Sequence, residues 1–110
     1  MDTTAATTVK IETLLDTDGF IRDPDAWNAD IARMIAHYDG LSELTRDHWV
    51  VIHALRDHYH RFGTAPPTFS HICNEYHLGK HCVVNLFRSE REAWRIAGMP
   101  DPGEEAKSYM

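Results

Sequence analysis

Two cysteines in 110 residues, Cys73 and Cys82, are too few for a disulfide scaffold. With no secretory context they read as reduced thiols of a cytoplasmic protein. Long apolar runs are also missing: Trp49-Val50-Val51-Ile52 is far shorter than the ~18 residues a membrane span requires. The amino terminus has no basic segment followed by an apolar one, so no export signal is expected. Six glycines and five prolines punctuate the chain without forming a linker, and no repeat or low-complexity tract divides it, which leaves one domain. Positive charge is scarce as well: 11 basic against 17 acidic side chains give a net charge of −6, which favours solubility and argues against a generalist nucleic-acid binder.

Hydrophobic residues make up 43% and charged residues 25%, the composition of an ordinary globular domain and not of a disordered chain. Residues 1–45 carry three basic and nine acidic groups, 46–95 seven and five, and 96–110 one and three, so only the middle is net basic. Eight histidines between His37 and His81 make the surface charge strongly pH-dependent below neutrality.

Apolar periodicity predicts a mostly α protein, a small orthogonal helical bundle. Residues 1–8 lack periodicity and are expected to be a disordered terminus, 9–98 the helical domain and 99–110 a flexible, extended arm. Val9, Ile11 and Leu14, then Asp18-Gly19, then Phe20 and Ile21 read as a short β-hairpin. Asp23-Pro24 is a helix start, followed by Trp27, Ile31, Met34, Ile35 and Tyr38 at helical spacing up to Gly40. Thr45 caps a second helix that runs to Phe62, before Gly63, with its histidines and the Asp57–Arg61 pair on a solvated face. Thr68 or Ser70 caps a short helix to Tyr76. Leu78-Gly79 turns the chain into another, 80–87, and the two make a helix-turn-helix-like portion. Ser89 caps a last helix ended by Gly98.

His71, Cys73, His77, His81 and Cys82 are soft-metal ligand types, but the spacings of zinc sites are absent and no metal or other cofactor is expected. Cys82 beside His81 is a poor nucleophile–base pair, since neighbours on a helix diverge by about 100°, and both cysteines read as core thiols. Lys80, His81 and Asn85 can be placed in a major groove, with Arg88 and Arg91 reaching phosphates. Helix turns of this kind are equally ordinary bundle corners. No catalytic constellation is present, so the residues suggest a binding module more than an enzyme.

The ordered set Gly19-Phe20, Trp27, Leu44-Thr45, His48-Trp49, Leu55-Arg56, Pro66-Pro67, Leu86-Phe87 and Arg95-Ile96-Ala97-Gly98-Met99-Pro100 with Pro102 resembles the DsrC/TusE family over residues 9–103. This family includes the gamma subunit of dissimilatory sulfite reductase. The resemblance implies a helical domain whose carboxy-terminal arm ends in a cysteine carrying sulfur as a persulfide or trisulfide. That arm docks into sulfite reductase or a relay complex feeding tRNA thiolation. Many members have a second cysteine just before the Arg/Lys-Ile-Ala-Gly-Leu-Pro segment.

Aligned on this segment, the two thiol positions are Trp94 and Glu105, or Glu104 with a one-residue slip. Asp101 stands where a basic residue is expected, and Arg88-Ser89-Glu90-Arg91 replaces a Pro-Gly-Gly-Pro connection. A carboxylate cannot store or release sulfane sulfur, because that chemistry runs through a thiolate and an S–S bond. The resemblance therefore implies a non-catalytic binding or regulatory relative in sulfur metabolism. Its docking arm would comprise Ala97, Gly98, Met99, Pro100, Asp101, Pro102, Glu104 and Glu105. Trp94 is either an aromatic anchor for the partner or core packing of the last helix, and Arg56 either lines the groove under the arm or is an exposed helix arginine. Two alternatives stand beside this reading: a sulfur carrier using Cys73 or Cys82, and a DNA-binding regulator.

Overall fold

The computed structural model describes residues 11–41, 43–66 and 69–110; the expected disordered terminus, Val9 and the candidate cap Thr68 lie outside the described residues. Among these, seven α-helices form and no sheet. They are α1 (Ile11–Leu14), α2 (Ala29–Tyr38), α3 (Arg46–Phe62), α4 (Ser70–Glu75), α5 (Cys82–Phe87), α6 (Glu90–Ile96) and α7 (Glu104–Tyr109).

The expected β-hairpin is replaced by α1 and a tight turn, with one isolated antiparallel bridge between Leu15 and Ile21. Ile11 and Leu15 are both buried at the i, i+4 spacing of a helix face, and Phe20 and Ile21 are both buried although a half-solvated strand would expose one of two neighbours. Asp16 makes the turn with its own side chain, Oδ1 accepting from the amides of Asp18 and Phe20, each at 2.9 Å.

The helix expected from Pro24 is split. Asp23 does cap, but only a 3-10 turn, Pro24–Ala26. Trp27 is then extended, and α2 begins afresh after Asn28, whose side chain accepts from the Ile31 amide. An N-cap amide oxygen satisfies one of the donors left at a helix start.

Thr45 caps α3 reciprocally with His48. His48 Nδ1 accepts from the Thr45 amide at 2.9 Å, which leaves Nε2 to donate to the Leu86 carbonyl at 2.8 Å. His48 is thus buried between α3 and α5, not on the solvated face expected for it; the Asp57–Arg61 pair is on that face. α4 starts after Phe69 with no side-chain cap, so Ser70 opens the helix instead of capping it. Ser89 caps α6 by accepting from Glu92.

α3 buries Val51, Ile52 and Leu55, while α6 buries Ala93, Trp94 and Ile96. α6 packs on α2, α3 and α5 and is as central as the longer α3. The one- and two-turn helices are too short to persist alone and depend on this packing, each fully buried large side chain contributing about 1.5–3 kcal/mol.

Candidate functional site

The chain leaves α6 through Ala97-Gly98-Met99-Pro100, and its carbonyls are gripped from three sides. Trp27 Nε1 donates to Ile96 O at 2.9 Å. Arg56 Nη1 donates to Ala97 O at 2.9 Å and Gly98 O at 3.3 Å, while its Nη2 donates to Pro24 O at 3.4 Å. Trp94 Nε1 reaches forward to Pro100 O at 2.8 Å. Carbonyls at a helix end have no intrahelical donor and carry the negative end of its dipole, so a guanidinium suits this place.

Arg56 also lies 4.0 Å over the Trp27 ring, which sets the two clamping groups against each other. Burial pulls the Arg56 guanidinium below its usual value, with Asp25 working against the shift. Gly98 closes the clamp: its φ of +71° favours glycine, and a Cβ there would fall inside the Trp27 indole.

Behind the clamp, the Asp18-Gly19 turn is tied to the last third of the chain. Arg95 Nε donates to Gly19 O at 2.8 Å and its Nη1 pairs with Asp39. Gly19, at φ +91°, brings its backbone so near Arg95 that a Cβ would lie 2.9 Å from Nε. Arg91 donates to Asp18 O at 3.3 Å. Glu92 completes the group but sits 3.6 Å from Arg95 Nη1, beyond hydrogen-bond range, and its Oε2 is buried with no donor. Burial first, then Asp39, pushes its carboxyl up to about 8 against the pull of Arg95 and Arg88; a protonated Glu92 would give the orphaned oxygen a role as donor to Asp39.

Beyond Pro102 the chain is not extended, as expected, but turns into α7. Lys107 Nζ gathers Asp18 at 2.9 Å, Asp101 at 3.0 Å and Glu104 at 3.1 Å. These three carboxylates, Asp18 foremost, raise the Lys107 ammonium above its usual value. Asp101 is held below its own by the Gly103 amide and then by Lys107. An open groove of about 310 Å³ runs between α7 and the body, with Pro66, Phe69 and Glu90 on one wall and Ala106, Tyr109 and Met110 on the other.

Of the two readings left open for Trp94, the structure shows core packing: it is fully buried, 6.2 Å from the Phe69 ring and 6.1 Å from Tyr59. Ala97, Gly98 and Met99 are buried as well, so only Asp101, Glu104 and Glu105 of the expected arm residues are exposed, with Pro100 and Pro102 half-buried. Arg56 is half-buried and holds the arm's root through the Ala97 and Gly98 carbonyls. Lys80, His81 and Asn85 are exposed. Arg88 is committed to Asp39 O and Gly40 O, and Arg91 lies 5.0 Å over Phe20, so two of the five candidate nucleic-acid contacts serve the fold.

The reading of Cys73 and Cys82 as reduced thiols is overturned. The turn at Leu78-Gly79 folds α5 back on α4 until the two Cα atoms are 5.6 Å apart, and the cysteines form a buried disulfide. Among the described residues no group of three or more His, Cys, Asp or Glu is placed to hold a metal ion, and no helix is long and apolar enough to cross a membrane.

Reading single residues for chemistry missed Trp27, Asp18 and Lys107. Trp27 and Gly19 had a signal, since both belong to the family-like motif set, and the structure supplies the reason: they meet Ile96, Arg95 and Gly98. Lys107 had none beyond being the only cation of residues 96–110.

The family described as DsrC like protein matches residues 7–104. The chain is 32% identical over 101 residues to Sulfurtransferase TusE of Escherichia coli (strain K12), covering 84% of this chain and 90% of that one. It is 43% identical over 102 residues to the Sulfurtransferase TusE homolog of Haemophilus influenzae, covering 86% and 93%. Its fold matches the oxidized gamma-subunit of the dissimilatory sulfite reductase (DsrC) from Archaeoglobus fulgidus with a TM-score of 0.70 and 31% identity over 82% of this chain and 89% of that one.

Proposed function

This chain belongs to the DsrC-like family, and from that premise we propose that it is a non-carrier member: a cytoplasmic, non-catalytic protein that docks on a partner of sulfur metabolism through its C-terminal segment. Relatives named as sulfurtransferases and as a sulfite reductase subunit support a role in sulfur metabolism and a protein partner. The observation that carries the finer reading is the fate of the two thiol positions. Trp94 is sealed in the core and Glu105 is exposed on α7. Neither can attack or leave through an S–S bond. The two cysteines the chain does have are buried and bonded to each other.

What the chain has is a means of presenting that segment. The Trp27–Arg56–Trp94 clamp fixes its root, and the exposed surface beyond it is acidic, with Asp101, Glu104 and Glu105. A partner of the family type would engage this acidic segment without receiving sulfur. The test is to incubate the native chain with a persulfide-bearing sulfurtransferase and weigh it intact under non-reducing conditions. The reading expects no sulfur adduct; a stable increment of one or more sulfur atoms on Cys73 or Cys82 would establish the carrier alternative instead.

A further inference from the structure

We propose that Cys73 and Cys82 form a reversible thiol–disulfide couple, a substrate for a dithiol reductant, whose oxidised state holds the groove under α7 in shape. Three observations carry this. First, the bridge joins α4 to α5, two six-residue helices that each lack a side-chain N-cap. Helices this short have little stability of their own, so the segment is suited to local opening while α3 and α6 stay folded. Second, the chain between the cysteines runs over the surface: Asn74, Glu75, Tyr76, His77, Gly79 and Lys80 are exposed. His77, not a glycine, holds a left-handed φ of 57° beside Gly79 at 92°. The cysteines are buried, and the chain that joins them passes through an exposed turn held in left-handed backbone.

Third, Phe69 links the pair to the C-terminal segment. Phe69 accepts the Ile72 and Cys73 amides through its carbonyl at 3.0 and 3.4 Å, packs on Trp94 and walls the α7 groove. Opening α4 therefore loosens a wall on which α7 rests. A disulfide inside a cytoplasmic protein, the compartment proposed above, is more often redox-sensing than structural.

The chemistry needs only a dithiol. One of its thiolates attacks a sulfur of the pair, forming a mixed disulfide and releasing the other cysteine as a thiolate, which takes a proton. The second thiol of the reductant displaces the first cysteine, which is protonated in turn. Two electrons and two protons have reached the pair and the reductant leaves as its own disulfide. An oxidised dithiol reverses the exchange.

The test uses the purified full chain, with no partner and no sulfur donor, so its outcome is separate from that of the proposed function. The native chain is equilibrated with mixtures of reduced and oxidised dithiothreitol, quenched, alkylated and weighed, and amide exchange is followed in both states. Both cysteines are expected to titrate together and reversibly without loss of the folded core. Exchange in residues 69–87 and 104–110 is expected to rise at least about tenfold on reduction, while α2 and α3 change little. The double variant Cys73→Ala/Cys82→Ala should show the fast exchange at every ratio. Reduction only after global unfolding, thiols that never pair, or exchange in 104–110 indifferent to redox state would each overturn the proposal.

Discussion

Glu92 is the residue whose ionisation the fold resists most plainly. Its carboxyl is raised to about 8 by burial and by Asp39, above the ordinary ~4.3 of the unfolded chain. Between these values the folded state holds more protons than the unfolded one, so the contribution is complete at low pH and is lost as pH rises toward 8. After discounting for the solvent that reaches this half-buried group, the effect on stability is on the order of 1–2 kcal/mol. Urea unfolding at pH 5.5 and 8.5 should show that decline, about 1–2 kcal/mol, in the native chain and little of it in Glu92→Gln; equal declines in both would remove Glu92 as the cause. Of the six glycines, Gly98 is the least replaceable. Gly98→Ala forces a side chain into the Trp27 indole at a left-handed φ, which should cost roughly 3 kcal/mol or more in urea unfolding.

Among the elements, α6 gathers most of the structure, and its start rests on one hydroxyl. Ser89→Ala removes the oxygen that accepts the Glu92 amide at 3.0 Å and should lower stability by about 1 kcal/mol. α7 is held differently. Lys107→Ala removes the group that joins Asp18, Asp101 and Glu104, and faster amide exchange confined to 104–110 is the expected sign, with the melting temperature of the body unchanged. Faster exchange throughout the chain would mean that α7 stabilises the whole fold.

These elements also mark where the sequence was readable. Thr45, Ser89, Gly63 and Gly98 were found at their true ends because caps and left-handed stops are local chemistry. The front departs from the hairpin read from Val9, Ile11, Leu14 and the Asp18-Gly19 turn, because the burial that decides the outcome is the Ile11–Leu15 pair at helical spacing. The Pro24 start was a real cap attached to too long a helix, since Trp27 is drawn out to meet Ile96 across 69 residues, a contact no local pattern encodes. The disulfide was missed for the same reason: a nine-residue separation permits a bridge, but only the turn between α4 and α5 brings the sulfurs together. Arg56 and the arm's root were legible through the family-like motifs. The Lys107 anchor was not, as it depends on a partner 89 residues away.

At the scale of the whole molecule, a family fold carries an altered ending: in the function proposed above, Trp94 and Glu105 at the two thiol positions take no part in sulfur chemistry. Met99 is buried and the Pro100 carbonyl is bonded to Trp94, so shortening that spares the fold must end after Pro102. The most direct measurement is a pull-down from native-host extract read by mass spectrometry, comparing the full chain with one ending at Pro102 whose unfolding curve matches it. Sulfite-reductase or sulfur-relay subunits are expected on the full chain and are expected to be lost from the shortened one. Equal retention by both chains, or DNA and no such subunit on either, would contradict the proposed function.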